Sequence, residues 1–110
     1  MFMTTLPIAA LSVNKCWTGR RFKTPDYLAY EQECVYRLPK MSIPTGLLEL
    51  HIVFGYKNIL SDIDNGLKPF IDILQKRYLF NDRNIHKLVV EKQVCKEPFI
   101  SFQIIPYEAR

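Results

Sequence analysis

Between Leu48 and Leu74 the apolar pattern changes its period, and few folds accommodate that change. Leu48, Leu50, Ile52 and Phe54 alternate with Glu49, His51, Val53 and Gly55, as in a strand with one buried face. Leu67, Phe70, Ile71 and Leu74 then recur at the spacing of one helical stripe. Between the two patterns lies an acidic stretch with carboxylates at Asp62 and Asp64. In an extended segment, residues two apart point to the same side, so both could reach one point, which suits a hard divalent cation. The same residues also read as a helix start, with Asp64 or Asn65 capping and acids near the positive end of the dipole. The residues alone leave both readings open. With Asn65 as N-cap, Pro69 is the fourth helical residue and its missing N–H costs little, which places the helix over 66–77. Asp64, Lys68 and Asp72 fall on a second stripe, so the lysine can pair with an acid one turn away.

The rest of the chain fits around this unit. Residues 2–7 read as a first strand and 10–23 as a loop. In that loop Lys15, Arg20, Arg21 and Lys23 interleave with Trp17 and Phe22. Cations contact phosphates and aromatic faces stack on unpaired bases. A solvated basic hairpin with its aromatics tucked into the core is the alternative. Thr24-Pro25-Asp26 is a strong helix start, and Pro39 ends that helix near Leu38. Tyr27, Tyr30 and Cys34 share its buried side, with Leu28, Val35 and Leu38 extending it. Residues 41–46 form a linker, and 78–85 form a loop containing Asp82. Residues 86–95 and 99–105 read as strands joined by the short turn Lys96-Glu97-Pro98, hence as an antiparallel hairpin. The order β-α-β-α-β-β predicts an α+β fold, a two-layer α/β sandwich on a mixed sheet, in one domain over 1–110.

Composition narrows function mainly by exclusion. The formal charge is +4 over 110 residues, a weak tilt toward nucleic acid or another polyanion. No apolar run reaches the roughly 20 residues that span a bilayer, and the N-terminus lacks the basic start of a signal peptide. Cys16, Cys34 and Cys95 are odd in number and far apart, which fits a reducing cytoplasm better than a disulfide framework or zinc site. His51 and His86 are isolated. There is no glycine-rich phosphate loop, no H-E-x-x-H and no nucleophile elbow. What remains is Asp62, Asp64 and Asp82 with Lys68 nearby, in a basic chain. That set suits magnesium-dependent phosphodiester hydrolysis, with Lys68 stabilising negative charge that develops on the phosphate.

Asp62-Ile-Asp-Asn65 with Lys68 and Asp72 resembles the D-[LI]-D-N-x-x-K-x-x-x-D core of RusA-type Holliday junction resolvases. Ser12-Val-Asn14 is similar to that family's S-x-N segment, and Asn81-Asp82-Arg-Asn-Ile85 to its D-D-x-x-[IV] motif. Lys92 stands where the family has a lysine in the next strand. The chain departs from the pattern at Asn81, where the family has aspartate, and at Gly66, where it has a larger apolar residue. The resemblance implies a small homodimeric endonuclease, of phage or prophage character and cytoplasmic in a bacterial host cell. It would use Mg²⁺, with Mn²⁺ as substitute, to nick two opposing strands of a four-way DNA junction. By position, Asp62, Asp64 and Asp82 become metal-binding catalytic residues and Lys68 a further catalytic residue. Asn14, Lys15, Arg20, Arg21, Lys23 and Lys92 become DNA contacts. The alternatives are a branched-DNA or flap nuclease without strict four-way preference, and a nucleic-acid-binding module without catalysis.

Overall fold

A computed structural model describes residues 3–19 and 22–108. Strand β1 (Thr4–Leu6) is followed by a 3-10 turn at Val13–Lys15 and two short strands, β2 (Trp17–Thr18) and β3 (Phe22–Lys23). Helix α1 (Pro25–Arg37), strand β4 (Leu48–Tyr56) and helix α2 (Leu67–Tyr78) come next. A second 3-10 turn (Asp82–Asn84) leads into β5 (Ile85–Val94), and β6 (Phe99–Pro106) closes the fold. The result is an α+β fold with a mixed four-stranded sheet in the order β1-β6-β4-β5 and a separate two-stranded ribbon, β2-β3.

The sheet is built around β4. Leu48, Leu50, Ile52 and Phe54 are buried along one face of it. Ile100, Phe102 and Ile104 of β6 stand directly opposite Phe54, Ile52 and Leu50, so they extend the same face. Both helices pack there. Phe70 of α2 lies edge-on to Phe54 and to Phe102, and Tyr27, Tyr30, Cys34 and Leu38 bring α1 into the same core. The opposite face of β4 and β6 presents Glu49, His51, Val53, Ser101 and Gln103.

Helix α1 starts as its sequence predicts. Thr24 Oγ1 accepts the Tyr27 N–H at 3.1 Å, Pro25 opens the first turn and Asp26 faces the dipole. Leu28 departs from expectation. It is 52% exposed, because the buried stripe runs through Tyr27, Tyr30, Glu31 and Cys34 instead. The predicted 10–23 loop contains the β2-β3 ribbon, whose aromatics are not tucked into the core. Phe22 is 73% exposed, and Trp17, also exposed, lies edge-on to the core residue Tyr27 at 5.7 Å between centroids.

The predicted hairpin of the last two strands is a correction. β5 and β6 do not pair with each other; β4 lies between them, parallel to β5 and antiparallel to β6. The most deeply apolar strand takes the central place, and the linking residues must step across its end. Two strand spacings are about 9.6 Å, within reach of the four residues 95–98. Gly55 makes the step possible. A Cβ there would stand 2.3 Å from the Phe99 ring and 2.9 Å from Cys95 Sγ. The Cys95 N–H donates to the Tyr56 carbonyl at 2.8 Å, which fastens the crossover to β4.

Candidate functional site

The acidic stretch is a series of turns, not an extended segment. The Asn65 N–H donates to the Asp62 carbonyl at 3.3 Å, and the Leu67 N–H to the Asp64 carbonyl at 3.1 Å. The expected same-side projection of Asp62 and Asp64 from an extended backbone therefore does not apply. The capping alternative also falls. The N-cap of α2 is Gly66, with no side-chain cap bond, so neither Asp64 nor Asn65 serves that role. Both carboxylates are exposed and, among the described residues, have no ion-pair partner. Ile59, Leu60 and Ile63 beside them are also exposed, an apolar crest next to two bare acids.

Distant parts of the chain fasten this turn. Lys92 lies opposite Phe54 in the β4-β5 register, on the helix-bearing face of the sheet. From there its Nζ donates to the Ile59 carbonyl at 2.7 Å and to the Ser61 carbonyl. The Val13 N–H donates to the Asn65 carbonyl at 2.8 Å, which docks the N-terminal 3-10 turn against the acids. Gly66 has an ordinary backbone conformation, φ −93°, so its lack of a side chain serves space. A Cβ on it would lie 2.8 Å from Ala10 Cβ and 3.3 Å from the Tyr56 hydroxyl. Among the described residues that buried hydroxyl has no well-formed hydrogen bond, although the Gly66 backbone lies close by. Burial pushes the Tyr56 phenol up from its ordinary value; the nearby Gly66 backbone opposes this, and the charge of Asp64 adds to the rise. Tyr56 and Ala10 were not singled out by sequence, because their role depends on what α2 brings to them.

Asp82 approaches α2 from the other side. Leu79 adopts a left-handed conformation, φ 58°, and its N–H closes on the Gln75 carbonyl, which ends the helix and turns the chain back. Gln75 Oε1 then accepts the Asp82 N–H at 2.8 Å, while Gln75 Nε2 donates to Asp72 at 3.3 Å. Lys68 Nζ donates to Asp72 Oδ1 at 2.8 Å and stands 3.7 Å from Asp82 Oδ2. The hydrogen bond to Asp72 is the main reason the Lys68 ammonium is held above its ordinary pKa; the charge of Asp82 adds to it. Lys68 is thus a fixed cation between two carboxylates, as its spacing to Asp72 predicts. Gln75, which bonds the Asp72 carboxylate and the Asp82 backbone, carries no motif signal.

The expected DNA contacts divide. Asn14 and Lys15 are exposed on the 3-10 turn beside the acidic stretch. Ser12 Oγ accepts the Asn14 N–H at 3.3 Å, and Thr24 Oγ1 donates to the Lys15 carbonyl at 2.6 Å. Lys92 is committed to the loop carbonyls. Lys23 pairs with Glu31 at 2.8 Å and lies over the Tyr27 ring, so it serves the fold. Arg20 and Arg21 lie outside the described residues.

Among the described residues, no three His, Cys, Asp or Glu side chains come together as a metal-binding group. Magnesium is a hard ion that takes one or two carboxylates and completes its shell with water and substrate phosphate. Asp62 and Asp64 are exposed and, among the described residues, without an ion pair, which leaves their oxygens open to water; Asp82 is engaged by Lys68. Compared with models of known protein families the chain matches none, and no curated protein matches it at a significant level. No helix among the described residues is long and apolar enough to cross a membrane.

Proposed function

We propose that this protein is a magnesium-dependent endonuclease that acts on branched DNA and resolves four-way junctions as a homodimer, in the manner of the RusA-type resolvases it resembles. One observation carries this reading. Three segments far apart in sequence are joined here by direct hydrogen bonds: Val13 donates to the Asn65 carbonyl, and Lys92 to the Ile59 and Ser61 carbonyls just before Asp62. The two acids beside these bonds are exposed and, among the described residues, have no ion-pair partner. A cytoplasmic location in a bacterial host cell, and a phage or prophage origin, belong to the same proposal.

In this scheme Asp62 and Asp64 hold Mg²⁺, with Mn²⁺ as substitute. The bound ion would supply an activated water and neutralise charge on the phosphodiester. Lys92 and Val13 hold the acids in place by fixing the backbone on either side. Lys68, fully charged at neutral pH, offers a cation to a phosphate oxygen within reach of the same helix end. Asn14 and Lys15 contact the DNA backbone. Ile59 and Leu60 suit the unstacked bases at a branch point, where apolar wedges insert between steps.

A second reading, a nucleic-acid-binding module without catalysis, draws support from Lys68 occupying Asp82. One experiment separates the two. Purified protein is given a labelled four-way junction with Mg²⁺ or with EDTA. The nuclease reading predicts nicking only with the metal, and a loss of at least about a hundredfold in Asp62→Asn and Asp64→Asn with binding retained. Binding without any nicking would leave the non-catalytic module.

A further inference from the structure

The two edges of the main sheet differ sharply. One is β1, three residues long; the other is β5, ten residues long and, among the described residues, hydrogen-bonded as a strand to β4 on one side only. Long open edges invite pairing with another chain. β5 is also apolar where it is open, with Leu88 and Val89 exposed. Alternation places Leu88, Val90 and Lys92 on the helix-bearing face and Lys87, Val89 and Glu91 on the other.

The geometry points to β5 as the surface through which two copies of this chain pair, antiparallel, about a two-fold axis at Val89. In an antiparallel pair directly opposite residues share a face, so a symmetric pairing must be centred on a residue. Centring on Val89 sets Lys87 against Glu91 of the partner subunit, twice by symmetry, and Leu88 against Val90 of the partner subunit, also twice. Centring on Leu88 sets Lys87 against valine. Centring on Val90 sets Glu91 against valine and Lys92 against leucine. Of these, the Val89 register alone matches opposite charges and apolar side chains together. In the single chain Lys87 leans inward to Glu49 of β4 at 3.9 Å and Gln93 of the same strand holds Glu91 at 2.7 Å, so both side chains exchange these contacts for the pairs across the axis.

The pairing would join the two four-stranded sheets into one of eight strands. A two-fold axis perpendicular to the sheet keeps both helix layers, and hence both acidic turns, on the same face. The two Lys92 anchors would lie six residues apart along the paired strands, about 20 Å at 3.4 Å per residue. That presents two like sites to one substrate, as paired nicks require.

This inference rests on the homodimer reading above, and its test does not depend on cleavage. The oligomeric state is measured by sedimentation equilibrium for wild type, Lys87→Glu and Glu91→Lys, with circular dichroism to establish folding. Wild type is expected to be a dimer. Each variant alone places like charges at both cross-strand pairs and should weaken dimerisation by about tenfold or more. An equimolar mixture restores both opposite-charge pairs and should give a heterodimer. Glu91→Lys leaves the contact between Lys87 and Glu49 intact, which guards against a folding artefact. A variant that dimerises as tightly as wild type, or a mixture that stays monomeric, overturns the β5 interface. A monomeric wild type overturns it too, and would leave the edge to an extended segment of another protein. Junction nicking, measured separately, tells a nuclease that pairs through another surface from a dimer that does not cut.

Discussion

A methyl group on residue 66 would meet Ala10 at 2.8 Å, and Ala10 Cβ is bonded directly to backbone and cannot swing aside. Gly66 is therefore where the N-terminal segment and the acidic turn fit together. Gly66→Ala should destabilise the protein by about 1–3 kcal/mol, the range for overpacking. Adding Ala10→Gly removes the opposing atom and should return much of that loss, because residues in contact couple. Denaturant melts of both singles and the double variant check this; additive losses would mean that the two residues do not meet. The departure of Gly66 from the resolvase pattern thus has a local cause visible only in three dimensions. Lys68 was the opposite case, since its pairing with Asp72 follows directly from their spacing of four.

At the scale of elements, what distinguishes the 57–66 loop is that another strand holds it. Lys92 donates to two of its carbonyls, and Asn58 Oδ1 accepts the Leu60 N–H at 2.8 Å within it. Lys92→Met removes the ammonium and keeps most of the stem. It should speed amide exchange across residues 59–62 while α1 and α2 remain protected, since the loss is local. Unchanged exchange there would show that the loop is held by its own turns. Sequence located these elements well because each carries its own signal: the Thr24-Pro25 cap, the alternation in β4 and the helical stripe in α2. It failed where the outcome depends on competition between elements. A short turn between β5 and β6 looked like a hairpin, but β4 has the greater apolar surface to bury and stands between them. Asp62 and Asp64 were legible as a pair. Their turn geometry was not, because it is set by Lys92, Val13 and Ala10 from elsewhere in the chain.

For the whole molecule, Glu31 links the basic ribbon to both helices. Its carboxylate receives Lys23 from β3 at 2.8 Å and Lys76 from α2 at 2.9 Å, while the side chain is nearly buried in α1. Burial alone would push the Glu31 carboxyl up, but the hydrogen bonds and charges of the two lysines outweigh it and hold it below its ordinary value. A carboxyl with a lowered folded pKa stabilises fully above the unfolded value, about 4.3 for glutamate, and loses that contribution as pH falls through the folded value. Glu31→Gln should therefore cost about 2 kcal/mol at neutral pH and flatten the acid limb of the stability curve. A variant whose stability falls with acid as steeply as wild type would show that Glu31 is not the group responsible.

The central claim is that the turn at Asp62 and Asp64 cuts branched DNA in a paired fashion. Its most direct test is a supercoiled plasmid carrying an extruded cruciform, incubated with limiting protein and Mg²⁺. The account predicts linear plasmid as the first product, because two sites on one dimer cut opposing strands within one encounter, and no product from Asp64→Asn. Cleavage by Asp64→Asn at the wild-type rate, or equal cutting of a plasmid without the cruciform, would contradict it.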